Sequence, residues 1–238
     1  MAGKLAKIFA FVTLTIAFLL GVVAPACAQD VKASYPSMAP LEQYRIANPA
    51  DEIALARSAA PTSISGDAEV MILGTHGYET AAKGKNGFVC IVERSWGADF
   101  DDAEFWNPKI RAPICYNAPS ARSVLPEFLK RTGWVLAGVS KAEMMERVKS
   151  AVSANTFSAP EPNSMCYMMS KNGYLSDAVK HWHPHVMFFV PSKVSKTWGA
   201  DLPGSPVMAH ENVVEPITVF FIAVMMWSDG TLGPTKAP

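Results

Sequence analysis

The chain has 238 residues, 21 of them basic and 21 acidic, and half are apolar. Disorder throughout is excluded, because it needs low hydrophobicity and high net charge. A nucleic-acid binder would show a basic excess or stripe, and no polybasic run or Lys/Arg-rich amphipathic helix is present to hold anionic lipid.

At the N-terminus, Lys4 and Lys7 precede an apolar run over residues 8–23, followed by Pro25 and the small-x-small tripeptide Ala26-Cys27-Ala28. That order predicts a secretory signal peptide over 1–28, cleaved between Ala28 and Gln29. The run has 16 residues, short of the ~20 a spanning helix needs, so no transmembrane segment is expected after cleavage. Cys27 as a lipid attachment site would call for a leucine three positions upstream, where Ala24 stands. The expected location is periplasmic or secreted. Cleavage removes two lysines and leaves 19 basic against 21 acidic residues, a formal net charge of −2.

Residues 29–47, polar and proline-punctuated at the start, read as a flexible lead-in. Asn48-Pro49-Ala50-Asp51-Glu52 then predicts a helix start. Asparagine caps the free amides, proline suits the first turn, and acids favour the positive helix end. This helix should run to about Ala59. Residues 69–73, 78–82 and 88–93 have strand character. The turns Gly74-Thr75-His76-Gly77 and Gly84-Lys85-Asn86-Gly87 between them predict a three-stranded antiparallel meander. Residues 95–111, rich in Gly, Asp and Trp, read as a surface loop.

Helical pattern resumes near Ser120 and continues through Leu129 despite Pro126. Ser140-Lys141-Ala142-Glu143 is a capping box that opens a helix to about Ala154, with Met144, Val148 and Val152 along one stripe. Short apolar stretches follow at 165–169 and 186–190. The run over 217–227, too short to span a membrane, reads as a buried central strand. The expected class is α+β: an antiparallel sheet of N-terminal meander and buried C-terminal strands, with about three packed helices. One domain over 48–230 and a disordered tail over 231–238 complete the layout.

Cleavage leaves Cys90, Cys115 and Cys166. An oxidising compartment favours a structural pair, and an odd count leaves one over. Three pairings are open. Cys90–Cys115 is preferred, since both lie in short strand-like stretches, with Cys166 free.

The densest chemical cluster is His181-Trp182-His183-Pro184-His185. Pro184 excludes a helix interior, and alternation along an extended segment would put the three imidazoles on one face. Three histidines and an open position make a catalytic zinc pattern, with His76 or His210 as a further ligand. Met165, Met168, Met169 and Met187 nearby would favour copper. Against this, i, i+2 and i+4 on one strand spread over ~13 Å, so one ion needs a bend in the chain. Cys166 with one of these histidines would make a nucleophile pair, although no motif positions the thiol. Neither a G-x-S-x-G elbow nor a P-loop is present.

Several stretches together resemble a family of exported bacterial proteins that carries no assigned activity. They are the run Glu52-Ile53-Ala54-Leu55-Ala56-Arg57-Ser58-Ala59-Ala60-Pro61, Asn86-Gly87-Phe88-Val89-Cys90 with Val92-Glu93-Arg94, and Pro113-Ile114-Cys115-Tyr116. Tyr167-Met168-Met169-Ser170 and Pro184-His185-Val186-Met187-Phe188-Phe189 continue the pattern. The resemblance implies export and membership but transfers no catalytic residue. Of the histidine cluster it covers only His185. The functional expectation is a non-catalytic domain of the cell envelope that binds a small molecule or another envelope component. The alternative is a metal-binding protein or metal-dependent enzyme using Zn or Cu at His181, His183 and His185.

Overall fold

Local signals start the elements where the sequence places them. A computed structural model describes residues 35–212 and 214–234; the expected signal peptide, the first part of the lead-in and the last four residues lie outside these. Helix α1 spans Pro49–Arg57, and Asn48 Oδ1 accepts from Ala50 N at 3.1 Å. A single turn, α2, covers Thr62–Ser65. The helix expected across Pro126 divides into α3, Ala118–Ser123, and α4, Leu125–Leu136, with Pro126 in the first turn of the second. Proline lacks the amide that a continuous helix would need there. Helix α5 spans Lys141–Ser153, and Ser140 Oγ accepts from Glu143 N at 3.2 Å.

Eight strands form one sheet: β1 Glu69–Leu73, β2 Tyr78–Ala82, β3 Val89–Glu93, β4 Ala112–Tyr116, β5 Met165–Met168, β6 His185–Pro191, β7 Val207–Glu211 and β8 Ile217–Ala223. Their spatial order is β2-β1-β3-β4-β5-β6-β8-β7. The α+β class holds, but the sheet is mixed and the expected meander is not formed. Strand β2 returns beside β1, whereas β3 pairs with the other side of β1 and runs parallel to it.

The crossing explains the difference. Residues 83–88 pass under the start of β1 so closely that a Cβ on Gly84 would lie 2.1 Å from Glu69 N. Lys85 N donates to Asp67 O at 2.9 Å, and Glu69 N to Phe88 O at 2.8 Å. Asn86 Oδ1 accepts from Phe88 N and Gly87 takes a φ of 79°. The Asn-Gly pair thus shapes a crossover, a task its tolerance of unusual φ suits as well as a hairpin.

Alternation sorts the strands between two cores. One face puts Val70, Cys90, Val92 and Cys115 under α1, whose Ala56, like Ala59 and Ala60 just beyond its end, is small enough for close approach. The other face carries Ile91, Ile114, Tyr116, Cys166, Met187 and Phe189 toward Leu125, Phe128, Val135 and Met144 of α4 and α5. The disulfide joins Cys90 and Cys115, which face each other directly across β3 and β4.

Cys166 is free and buried on β5. Burial first, then the negative Glu93 nearby, pushes its thiol well above the ordinary range, against a smaller opposing effect of a Met187 backbone hydrogen bond. The protein lacking residues 1–28 is therefore expected to show no titratable thiol when native and one after unfolding in guanidinium. Rapid labelling of the native protein would contradict this placement.

Other segments also differ from expectation. Tyr44, in the supposed lead-in, is fully buried and its hydroxyl donates to Trp106 O at 2.8 Å. The supposed surface loop over 95–111 buries Trp96, Phe105 and Trp106. Strand β8 ends at Ala223 and lies one strand in from the edge, because β7, unforeseen in the sequence, covers it. At the tail, Gly233 N still donates to Met225 O at 2.8 Å. No helix among the described residues is long and apolar enough to cross a membrane.

Candidate functional site

Between β4, β6, β8 and the start of α4 lies a space of about 540 Å³. Alternation on β6 and β8 turns Met187, Phe189, Val219 and Phe221 into it, and Phe128 of α4 and Val152 of α5 face them. The buried-aromatic loop supplies Ala98, Asp99, Asp101 and Asp102 to the rim.

The polar wall is made of side chains that are isolated in sequence. Glu93 ends β3 on the cavity face, where the alternation of an apolar strand puts it. Tyr116 Oη donates to Glu93 Oε1 from β4. Burial raises the Glu93 carboxyl to about 7, against that hydrogen bond and the positive charge of Arg131. Burial also lifts the Tyr116 hydroxyl well above its usual range. Gly97 lies close above the pair: a Cβ there would stand 3.1 Å from Glu93 Oε2 and crowd it.

Glu127 and Arg131 share one face of α4, one turn apart, with Arg131 Nη1 3.7 Å from Glu127 Oε1. The Arg131 guanidinium lies 4.5 Å from the Phe100 ring centroid, and its buried Nε finds no partner among the described residues. Glu215 arrives from the turn before β8, where Asn212 Oδ1 accepts from Glu215 N at 2.9 Å. Its side chain is only 7 % exposed. Burial, reinforced by the neighbouring Glu127 carboxyl, holds the Glu215 carboxyl well above the usual carboxylate range. His210 of β7 closes the rim, with Nε2 2.6 Å from Asp99 Oδ2.

The expected histidine cluster is dispersed. His181 is exposed and stacks edge-on against Trp227, with ring centroids 5.6 Å apart. His183 contributes its carbonyl oxygen, which accepts from His185 Nδ1–H at 2.7 Å. That contact assigns the proton to Nδ1. His185 is buried, and burial lowers its pKa to about 4, so the ring is neutral. It lines a second space of about 420 Å³ with Trp182 and Ser95, whose buried hydroxyl has no partner among the described residues. Glu93, Ala98 and Phe221 line both spaces and so form a common wall. His76 is exposed in the β1–β2 turn. Among the described residues no group of three His, Cys, Asp or Glu side chains stands where it could hold a metal ion. Cys166, with its raised thiol, is not an activated nucleophile.

The cavity carboxyls Glu93, Glu127 and Glu215 were missed by motif reading because they lie 34 and 88 residues apart. One signal was present: Glu93 and Glu215 each sit flush against apolar strand sequence, where an acid has no local reason to be. Compared with known proteins, the chain matches no family model, no curated protein and no solved structure.

Proposed function

We propose that this is an exported, non-catalytic binding domain whose ligand is a small molecule held between β4, β6, β8 and α4. One observation carries the reading: a cavity of about 540 Å³ with apolar walls from β6, β8 and α4 and a rim of charged side chains. Its size falls in the range of small-molecule sites, which are concave, mostly apolar and oriented by a few polar side chains. Export is supported by the disulfide, which suits an oxidising compartment.

The test uses a neutral probe of apolar sites. Nile red should bind the wild-type protein with blue-shifted emission and saturate at one probe per chain. Val219→Trp, from β8, and Val152→Trp, from α5, fill the space from opposite walls and should abolish the signal while melting cooperatively. Absence of binding to wild type, or undiminished binding to both folded variants, would overturn the assignment.

A further inference from the structure

We infer that the larger cavity takes an amphipathic amine, its ammonium group at Glu215 and its apolar body along Val219, Phe221, Met187 and Phe128. The inference rests on the cavity being a ligand site and names the ligand class.

Charge decides the sign of the ligand. Six carboxyl side chains line the space against two arginines and one histidine. Arg122 is engaged elsewhere, its Nη2 2.6 Å from Glu161 Oε2. An anion would therefore enter against a negative wall.

Most of those carboxyls already have a partner. Asp99 has His210, Glu127 has Arg131, and Glu93 has the Tyr116 hydroxyl. Glu215 is different. More than nine-tenths buried, it forms no salt bridge among the described residues, and its side-chain hydrogen bond is to another acid, Glu127, not to a counter-charge. Arg131 and Asp99 are the other charges that act on it, and they oppose each other. Burying a carboxyl without a counter-charge is unfavourable, and the group keeps its proton instead. An ammonium ion supplies what is missing: a positive charge and three donors for a carboxyl pair. As the ion pair forms, the Glu215 proton passes to solvent.

The apolar walls set the rest of the ligand. From β6 and β8, Met187, Val219 and Phe221 face Phe128 across the space, so a chain or ring of hydrocarbon attached to the amine buries its surface there. A small hydrophilic amine would leave those walls wetted.

The experiment compares dansylcadaverine, a primary amine on an apolar fluorophore, with its N-acetyl derivative, which keeps the fluorophore and linker, is larger by one acetyl group and is neutral. Wild type should bind the amine at least about tenfold more tightly than the amide, the scale of one charge-assisted hydrogen bond. Glu215→Gln should remove that preference and leave the amide's affinity unchanged; Glu127→Gln should reduce it. If both probes bind equally, or if the amine's affinity is the same in folded Glu215→Gln, the amine assignment fails and the cavity assignment stands. If neither probe binds wild type, both fail.

Discussion

Arg94→Ala is expected to destabilise the protein by about 3–5 kcal/mol, the loss seen when one member of a buried ion pair is removed. Arg94 and Glu52 are 0 % and 2 % exposed at the side chain, and Arg94 Nη2 donates to Glu52 Oε1 at 2.8 Å. The guanidinium also donates from Nε to Tyr44 O at 2.6 Å and from Nη1 to Val92 O. Glu52 Oε1 in turn accepts from Leu73 N at 3.1 Å. One pair therefore fastens α1, β1, the end of β3 and the segment before α1. Alanine leaves the buried Glu52 carboxylate without its counter-charge and the Tyr44 carbonyl without its donor, while Val92 O keeps the Tyr78 hydroxyl; unmade buried hydrogen bonds carry the full desolvation cost. Urea unfolding of Arg94→Ala, Glu52→Ala and the double variant measures this as a cycle. The double variant should lose less than the two singles together, because the stranded charge is gone. A loss under about 1 kcal/mol in both singles would contradict a buried pair.

Removing the disulfide is the second large effect. Cys90→Ala with Cys115→Ala should cost about 3 kcal/mol, the chain-entropy value for a bridge closing a separation of 25 residues. In a domain of this size that is a fall in melting temperature of roughly 6–12 °C. The bridged cysteines are fully buried under α1, where Cys115 Sγ lies 3.7 Å from Ala56 O. A reductant should therefore act slowly on the native protein and fast on the unfolded one. The enclosed segment includes the loop over 95–111, whose Trp96 Nε1 donates to Thr132 Oγ1 at 2.9 Å and whose Ala98 and Asp99 line the cavity. The variant should thus also weaken Nile red binding. A melting temperature within about 2 °C of wild type would show that the β3–β4 ladder holds this segment unaided.

How far the sequence led depended on the range of each signal. Asn48 and Ser140 act on neighbouring amides, so these two helix starts follow from local chemistry, whereas the helix expected to continue past Pro126 is broken before it. Cysteine pairing was also legible, because Cys90 and Cys115 sit in two strand-like stretches that the chain can bring together. His181, His183 and His185 drew attention by density, yet side chains close in sequence spread over different surroundings when the chain is extended. Glu93, Glu127 and Glu215 are the reverse case. None belongs to a motif in its own stretch, and they converge because β3, α4 and the turn before β8 meet around one space.

The sequence by itself determined most local elements and which residues of each strand share a face, because caps, turns and alternation are decided by near neighbours; for the bridge it set a preference that the structure decided. Only the tertiary structure decided that the segment after β2 crosses the start of β1 so that β3 runs parallel beside it, and that three distant carboxyls line one cavity. Strand partner and cavity wall are long-range choices, set by which surfaces bury each other once the sheet closes, and no local period records them.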